Sequence, residues 1–260
     1  MMIRTSVSSF LLLLALSNTA FASQANHYEL IGALGAANLR TGGGSQLGVT
    51  SSETDKLQQT NNNNWNTFAT QLGVGYIYYF HQYTKTPEKV QWFPAIEPEI
   101  NLYYLSSNSN IKGNVWRFGS SAFNQLTYQM PLRSTRLMLD GVLTVVKKKK
   151  NLLYVKAGIG EAWNRLSYND TENSNGPAGC PDQRISLASA TNTNFAWELG
   201  IGVLHDFNNR LGLSLEYLYT HLGSVKPSSS YTGPITAPII SAPSINLASQ
   251  SVLLGLHVAL

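Results

Sequence analysis

Apolar residues along this chain recur with a period of two. The clearest run is Phe68 to Phe80, FATQLGVGYIYYF. Its even positions (Phe68, Thr70, Leu72, Val74, Tyr76, Tyr78, Phe80) are apolar or aromatic but for one threonine. The odd positions are mostly small, with a single amide, Gln71. The same alternation returns over Ile96 to Tyr104, Leu137 to Val145, Leu153 to Trp163, Phe195 to Val203, Leu211 to Tyr219 and Val252 to Leu260. A weaker version runs from Tyr28 to Leu39, with Tyr28, Leu30 and Leu34 on one face. Period two is the signature of a half-buried strand, and no helical stripe competes with it. Eight strands are therefore predicted.

Their apolar runs are about nine to eleven residues long, which is what a tilted strand needs to cross a bilayer. The connections alternate in length. HQYTKTPEKVQ, KKKKN and DFNNR are short and polar. The segments at 41–64, 169–193 and 223–244 are long and rich in Gly, Ser, Thr and Asn. Short turns at one end and long loops at the other are the layout of a transmembrane β-barrel, whereas a soluble sandwich has no such parity. The fold class expected is all-β, a closed antiparallel transmembrane β-barrel of eight strands. An alternating piece within 115–130 leaves ten strands as the alternative. Apolar parity switches around Pro131 to Ser134, which points to a bulge or bend there.

Composition places the barrel. MMIRTSVSSFLLLLALSNTAFAS has a basic start, an apolar stretch and a small-x-small site, so residues 1–22 read as a signal peptide and 23–260 as the barrel domain. Charged residues are only 12% of the chain, about half the usual share. The net charge of +4 is too mild for a nucleic-acid partner. The single cysteine, Cys180, excludes a disulfide within the chain, and an incidental thiol is the simple reading of it. The expected location is the bacterial outer membrane, after signal-peptide-directed export.

In lipid, backbone polar groups must be paired within the protein, so only a closed barrel lets strands cross. The apolar face then meets hydrocarbon, with aromatic belts at Tyr76, Tyr78 and Phe80 near a short turn and at Trp163, Phe195, Trp197, Tyr217 and Tyr219 near the long loops. The opposite face carries Gln71, Glu97, Glu99, Arg136, Asp140, Lys156, Glu198, Glu216 and His257. An eight-stranded lumen is narrow enough to be filled by side chains. Arg136 and Lys156 are expected each to lie between two or more of these carboxylates, and the surplus acids to reach water or take up a proton. The pairs Gly73/Gly75, Gly158/Gly160 and Gly200/Gly202, with Gly255, lie inside strands and make room for those long side chains. They are not nucleotide loops, because none opens a helix.

The R-L-M-L-D segment at Arg136 to Asp140, the G-I-G segment at Gly158 to Gly160 and the final strand SVLLGLHVAL carry a resemblance over the whole mature chain. It resembles the small outer-membrane β-barrels of the OmpA/OmpX-like superfamily, in particular the stand-alone barrels of Legionella- and Coxiella-type bacteria. That resemblance implies fold and location strongly and function weakly. It also implies that Gly255, Val258 and Leu260 form the insertion signal read by the barrel-assembly machinery, here ending in leucine instead of the commoner phenylalanine. The partners it implies are periplasmic chaperones and that machinery during biogenesis, then outer-membrane phospholipid and lipopolysaccharide.

Three functional classes follow. An enzyme needs a Ser/His/acid group near the loops. His205-Asp206 sits beside a short turn without a serine, and His221 lies close to Ser224 in a poor setting for a nucleophile. No catalytic, cofactor or metal residues are assigned, and the chain is read as non-enzymatic. A narrow porin-like channel for ions or small solutes is the alternative. The preferred reading is a plugged barrel with a structural or surface-interaction role, adhesion or envelope integrity, whose long loops bind a host or envelope ligand. Exposed Trp65 and Tyr231 are contact candidates. The run Lys147 to Lys150 reads as a solvated turn at the level of phospholipid headgroups.

Overall fold

In a computed structural model, residues 26–42, 45–50, 53–59, 65, 67–80, 90–107, 111–173, 184–233 and 241–260 are described. The leader expected at 1–22 and Cys180 lie outside them. The strands are β1 (His27–Gly42), β2 (Ser45–Gly48), β3 (Thr54–Gln59), β4 (Thr67–Tyr79), β5 (Gln91–Ser107), β6 (Lys112–Trp116) and β7 (Asn124–Gln129). They continue with β8 (Leu132–Lys148), β9 (Asn151–Glu172), β10 (Ser186–Asp206), β11 (Leu211–Val225), β12 (Tyr231–Thr232) and β13 (Ile245–Ala259). Two single 3₁₀ turns join β6 to β7, and no α-helix occurs among the described residues.

All pairings are antiparallel, and eight of the strands close on themselves. β1 pairs with β4, β4 with β5, β5 with β8, β8 with β9, β9 with β10, β10 with β11, β11 with β13, and β13 returns to β1. The register of β1 against β13, from Glu29–Ala259 to Gly42–Asn246, leaves the ring without an open edge. The extra piece at 115–130 adds no ninth or tenth member. It forms β6 and β7, which stack beyond the ring at the loop end.

The ring strands run from 13 to 22 residues, longer than a membrane crossing requires. Much of what reads as loop in the sequence is strand: β9 continues to Glu172 and β10 begins at Ser186. Above the ring, β7 takes over from β8 as the neighbour of β9, β6 pairs with β7, β3 with β6, and β2 with β3. On the other side β12 pairs with β10, and a bridge between Gly48 and Ser241 ties β2 to the segment before β13. These elements make an outer tier on the barrel.

The expected bulge at Pro131 to Ser134 is absent. Gln129 faces Asn169 and Leu132 faces Leu166, so β7 and β8 keep one register against β9 across Pro131. The inward face also stays on even residues throughout: Leu126, Tyr128, Met130 and Leu132, then Ser134, Arg136, Met138 and Asp140, are all buried. What changes is the medium outside. Over the ring the outward face carries the apolar residues, and polar ones turn in. In the outer tier the outward face carries Arg133, Arg165 and Asn169, and the apolar residues turn in. A reversal of chemistry at constant register looks like a bulge in a one-dimensional pattern. The register shifts within the ring lie at Thr144/Val146, Trp92/Ala95, Leu187/Ala190 and His221/Gly223, and the outer tier has one at Val115/Trp116.

Candidate functional site

The outward face of the ring is an apolar band. Leu72 is 65% exposed and Phe195 64%, with Leu34, Ile100, Leu139, Leu199, Leu215 and Leu254 similarly open. On β4 the band runs from Phe68 to Tyr78, eleven residues or ten steps. At about 3.4 Å per residue and a tilt of about 40°, that is roughly 25 Å, the height of the apolar belt on a membrane barrel. Aromatic pairs mark its two margins. Tyr28 packs on Tyr76 at 5.0 Å and Tyr78 on Phe80 at 5.9 Å at the turn end. At the loop end Trp197 packs on Tyr219 at 5.6 Å and stacks on His221 at 5.8 Å. His221 thus belongs to the belt, and Ser224 bonds to Ser244 instead of to a histidine.

Inside the ring, Gln71, Glu97, Glu99, Arg136, Asp140, Lys156, Glu198, Glu216 and His257 are all buried. Lys156 Nζ lies between Glu99 Oε2 at 3.0 Å and Glu216 Oε2 at 3.1 Å. Glu216 also accepts the Tyr154 hydroxyl at 3.0 Å. Asn101 Nδ2 donates to Glu99 and to Asp140, both at 2.7 Å, and Gln71 Nε2 donates to Asn101 Oδ1 at 2.9 Å. Arg136 departs from expectation: it meets one carboxylate, Glu198, with Nε to Oε2 at 3.2 Å. Its guanidinium lies over the Tyr103 ring at 4.1 Å, so an aromatic face takes the place of the second acid. Thr220 completes that layer by donating to Glu198. The glycines clear this space. A Cβ on Gly158 would collide with Asp140 Oδ1, one on Gly75 with Glu97 Oε1, and one on Gly202 with the Tyr154 ring.

Toward the turn end a third group appears. His257 Nδ1 is 2.9 Å from Glu29 Oε2, and His257 Nε2 is 2.9 Å from Ser214 Oγ. Glu29 and Ser214 were missed in the sequence, although both share the inward parity of their strands. A cavity of about 30 Å³ lies beside them, lined by Glu97, Glu99, Tyr154, Ser214, Glu216 and His257 among others. It has room for one or two waters. His205 points outward and bonds through Nδ1 to Asn151 Oδ1 at 2.7 Å, while Asp206 turns toward Lys147 at 3.6 Å. The two neighbours in sequence do not act as a pair.

The outer tier closes the loop end with an apolar core that includes Leu57, Val115, Met130, Leu166, Leu187 and Leu247. Tyr128 and Tyr168 stack within it at 6.0 Å. Two acids are buried here, beyond the apolar band. Asp55 accepts the Phe118 N–H at 3.1 Å, and burial pushes its carboxyl up to about 6 against that bond. Asp170 accepts the Ile185 N–H at 2.5 Å and the Tyr168 hydroxyl at 3.4 Å, and burial pushes it up to about 7. Glu53 and Arg117 pair at 2.6 Å beneath the β6–β7 tip, where Phe118 adopts φ 51° and packs edge-on against Phe123 at 5.8 Å. Both phenylalanines are exposed.

The outer membrane protein beta-barrel domain profile matches residues 8–234. The chain belongs to that family. Its ring of strands, outward apolar band and polar interior are those of an outer-membrane β-barrel. Comparison with curated protein sequences returns no match. Among solved structures, the chain is similar to Neisserial surface protein A, with 11% identity, 90% of this chain and 97% of the other covered, and a TM-score of 0.41. It is similar to Ail, the attachment invasion locus protein of Yersinia pestis (10% identity, 91% and 100% covered, TM-score 0.38). OprG of Pseudomonas aeruginosa gives 12% identity, 90% and 96% covered, and a TM-score of 0.36.

Proposed function

We propose that this outer-membrane β-barrel crosses the membrane with the eight strands of its ring, keeps a plugged lumen, and serves a structural or surface-interaction role through its outer tier. One observation carries the reading: two plugs of opposite chemistry fill the same ring in series. The hydrogen-bonded layer around Lys156 and Arg136 occupies the mid-lumen, and the apolar core of the outer tier lies above it. A solute must break buried ion pairs and then cross a dry core. On this reading the outer tier replaces floppy loops with a folded platform, and the exposed Phe118/Phe123 tip offers a contact for an envelope or host ligand. Proteoliposome swelling in small sugars checks it: swelling no faster than in protein-free vesicles is expected, and sugar-dependent swelling would contradict the plug.

The alternative, a narrow ion channel, rests on the acid excess. Glu29, Glu97, Glu99, Asp140, Glu198 and Glu216 face Arg136, Lys156 and His257, so any current would be cation-selective.

The Glu29–His257–Ser214 chain has the connectivity of a hydrolase triad, but we assign it to the plug. Ser214 sits mid-strand between Leu204 and Gly255, so neighbouring N–H groups are committed to the ladder and none forms an oxyanion hole. The adjacent cavity has no room for an acyl group. A fluorophosphonate probe is expected to leave the folded barrel unlabelled. Stoichiometric labelling that disappears in Ser214→Ala would establish an enzyme instead.

A further inference from the structure

The apolar band is interrupted at the turn end by a concave groove of about 510 Å³. Val146, Leu153, Val203, Leu213, Leu215 and Leu254 form its apolar wall, and Lys148, Asn151 and His205 line it at the strand ends. The register shift between Thr144 and Val146 shapes this corner. It sends Lys147 inward, 5% exposed and 3.6 Å from Asp206, and leaves Lys148 beside the groove. Lys149 and Lys150 are exposed in the turn that follows, where Lys149 takes φ 56°. Lys150 Nζ donates to the Phe207 carbonyl at 2.7 Å, which fastens this turn to the next one. His205 Nδ1 donates to the Asn151 amide oxygen at 2.7 Å, which fixes the ring at the strand end.

Charge and shape together select the occupant. The two joined turns carry Lys147, Lys148, Lys149, Lys150 and Arg210 against Asp206, a formal 5 − 1 = +4 among the described residues. A groove in a hydrocarbon-facing wall takes an acyl chain, and cations at the level of the headgroup favour a negative one. We propose that this groove binds an anionic phospholipid, with an acyl chain along Leu153, Val203 and Leu215 and the headgroup phosphate against Lys148. This rests on reading the apolar band as lipid-facing. The lysine run then supplies the headgroup contact of one defined site.

Native mass spectrometry of the mature chain, refolded in non-ionic detergent and titrated with dioleoylphosphatidylglycerol or dioleoylphosphatidylcholine, tests the site. One retained phosphatidylglycerol is expected, bound at least tenfold tighter than phosphatidylcholine. K148Q/K149Q is expected to bring the two lipids level. Leu215→Trp, which fills the groove without changing charge, is expected to weaken phosphatidylglycerol as well. Equal retention of the two lipids by the wild type, or a preference untouched by both variants, overturns the inference. So does full displacement of the lipid by inorganic phosphate, which would reduce the site to a free-anion patch. A heat-dependent gel shift in each sample reports the folded barrel. Its loss in the wild type would count against the barrel itself, whereas a shifted barrel without lipid preference sinks only the groove.

Discussion

Lys156 is the residue on which the lumen turns. Its ammonium is buried between two carboxylates, and the geometry makes it costly to remove alone. Lys156→Met leaves Glu99 and Glu216 buried without their cation and is expected to cost about 3–5 kcal/mol. Glu99→Gln/Lys156→Met/Glu216→Gln, which removes the charges together, is expected to recover most of that loss. Urea midpoints followed by the heat-dependent gel shift would show it, and a triple variant as unstable as the single one would contradict the paired account. The nine lumen residues were legible because strand parity alone decides which face a side chain takes. Their partners were not. Arg136 meets Tyr103 and a single acid because a neighbouring strand brings an aromatic ring beside it, and parity carries no information about cross-barrel height. Glu29 escaped because the first strand alternates weakly, and Ser214 because a lone serine among leucines reads as filler.

At the scale of elements, the outer tier behaves differently from the ring beneath it. Asp55 and Asp170 are buried acids whose folded values, about 6 and about 7, lie above the ordinary carboxylate range. A raised acid binds more protons folded than unfolded, so the tier gains stability as pH falls from about 7 toward about 4, and loses it above. Neighbouring Glu53 and Arg117 act in opposite directions on Asp55, and Asp55 itself raises Asp170 against Arg184. Amide exchange in 53–58, 168–173 and 184–187, corrected for intrinsic rates, is expected to be slower at pH 5 than at pH 8, and Asp55→Asn/Asp170→Asn to flatten the difference. Greater protection at pH 8 would contradict it. The tier was half legible. Leu126, Tyr128 and Met130 announced a strand, but the change of solvent at Pro131 looked like a change of register. The strand pieces at 54–59 and 186–193 read as loop because residues such as Lys56, Gln58, Ser189 and Thr191 point outward into water, where strand and loop share a composition.

On the scale of the whole molecule, a protein with only 12% charged residues is organised by which medium lies outside each tier. Hydrocarbon around the ring drives apolar residues out and lets a polar network fill the inside. Water around the tier reverses both. The ring and its membrane band were therefore readable from alternation alone, down to the aromatic margins. The polar layer proposed to plug the ring was expected from its narrowness; the apolar core above it was not, because segments that read as loops build it. The plug is also where the account is most exposed to error. Single-protein conductance in a planar bilayer tests it directly: the wild type is expected to give no steps, while Lys156→Met/Arg136→Met, folded by gel shift, opens at most brief cation-selective events. Stable, long-lived openings of the wild-type barrel would contradict a sealed lumen.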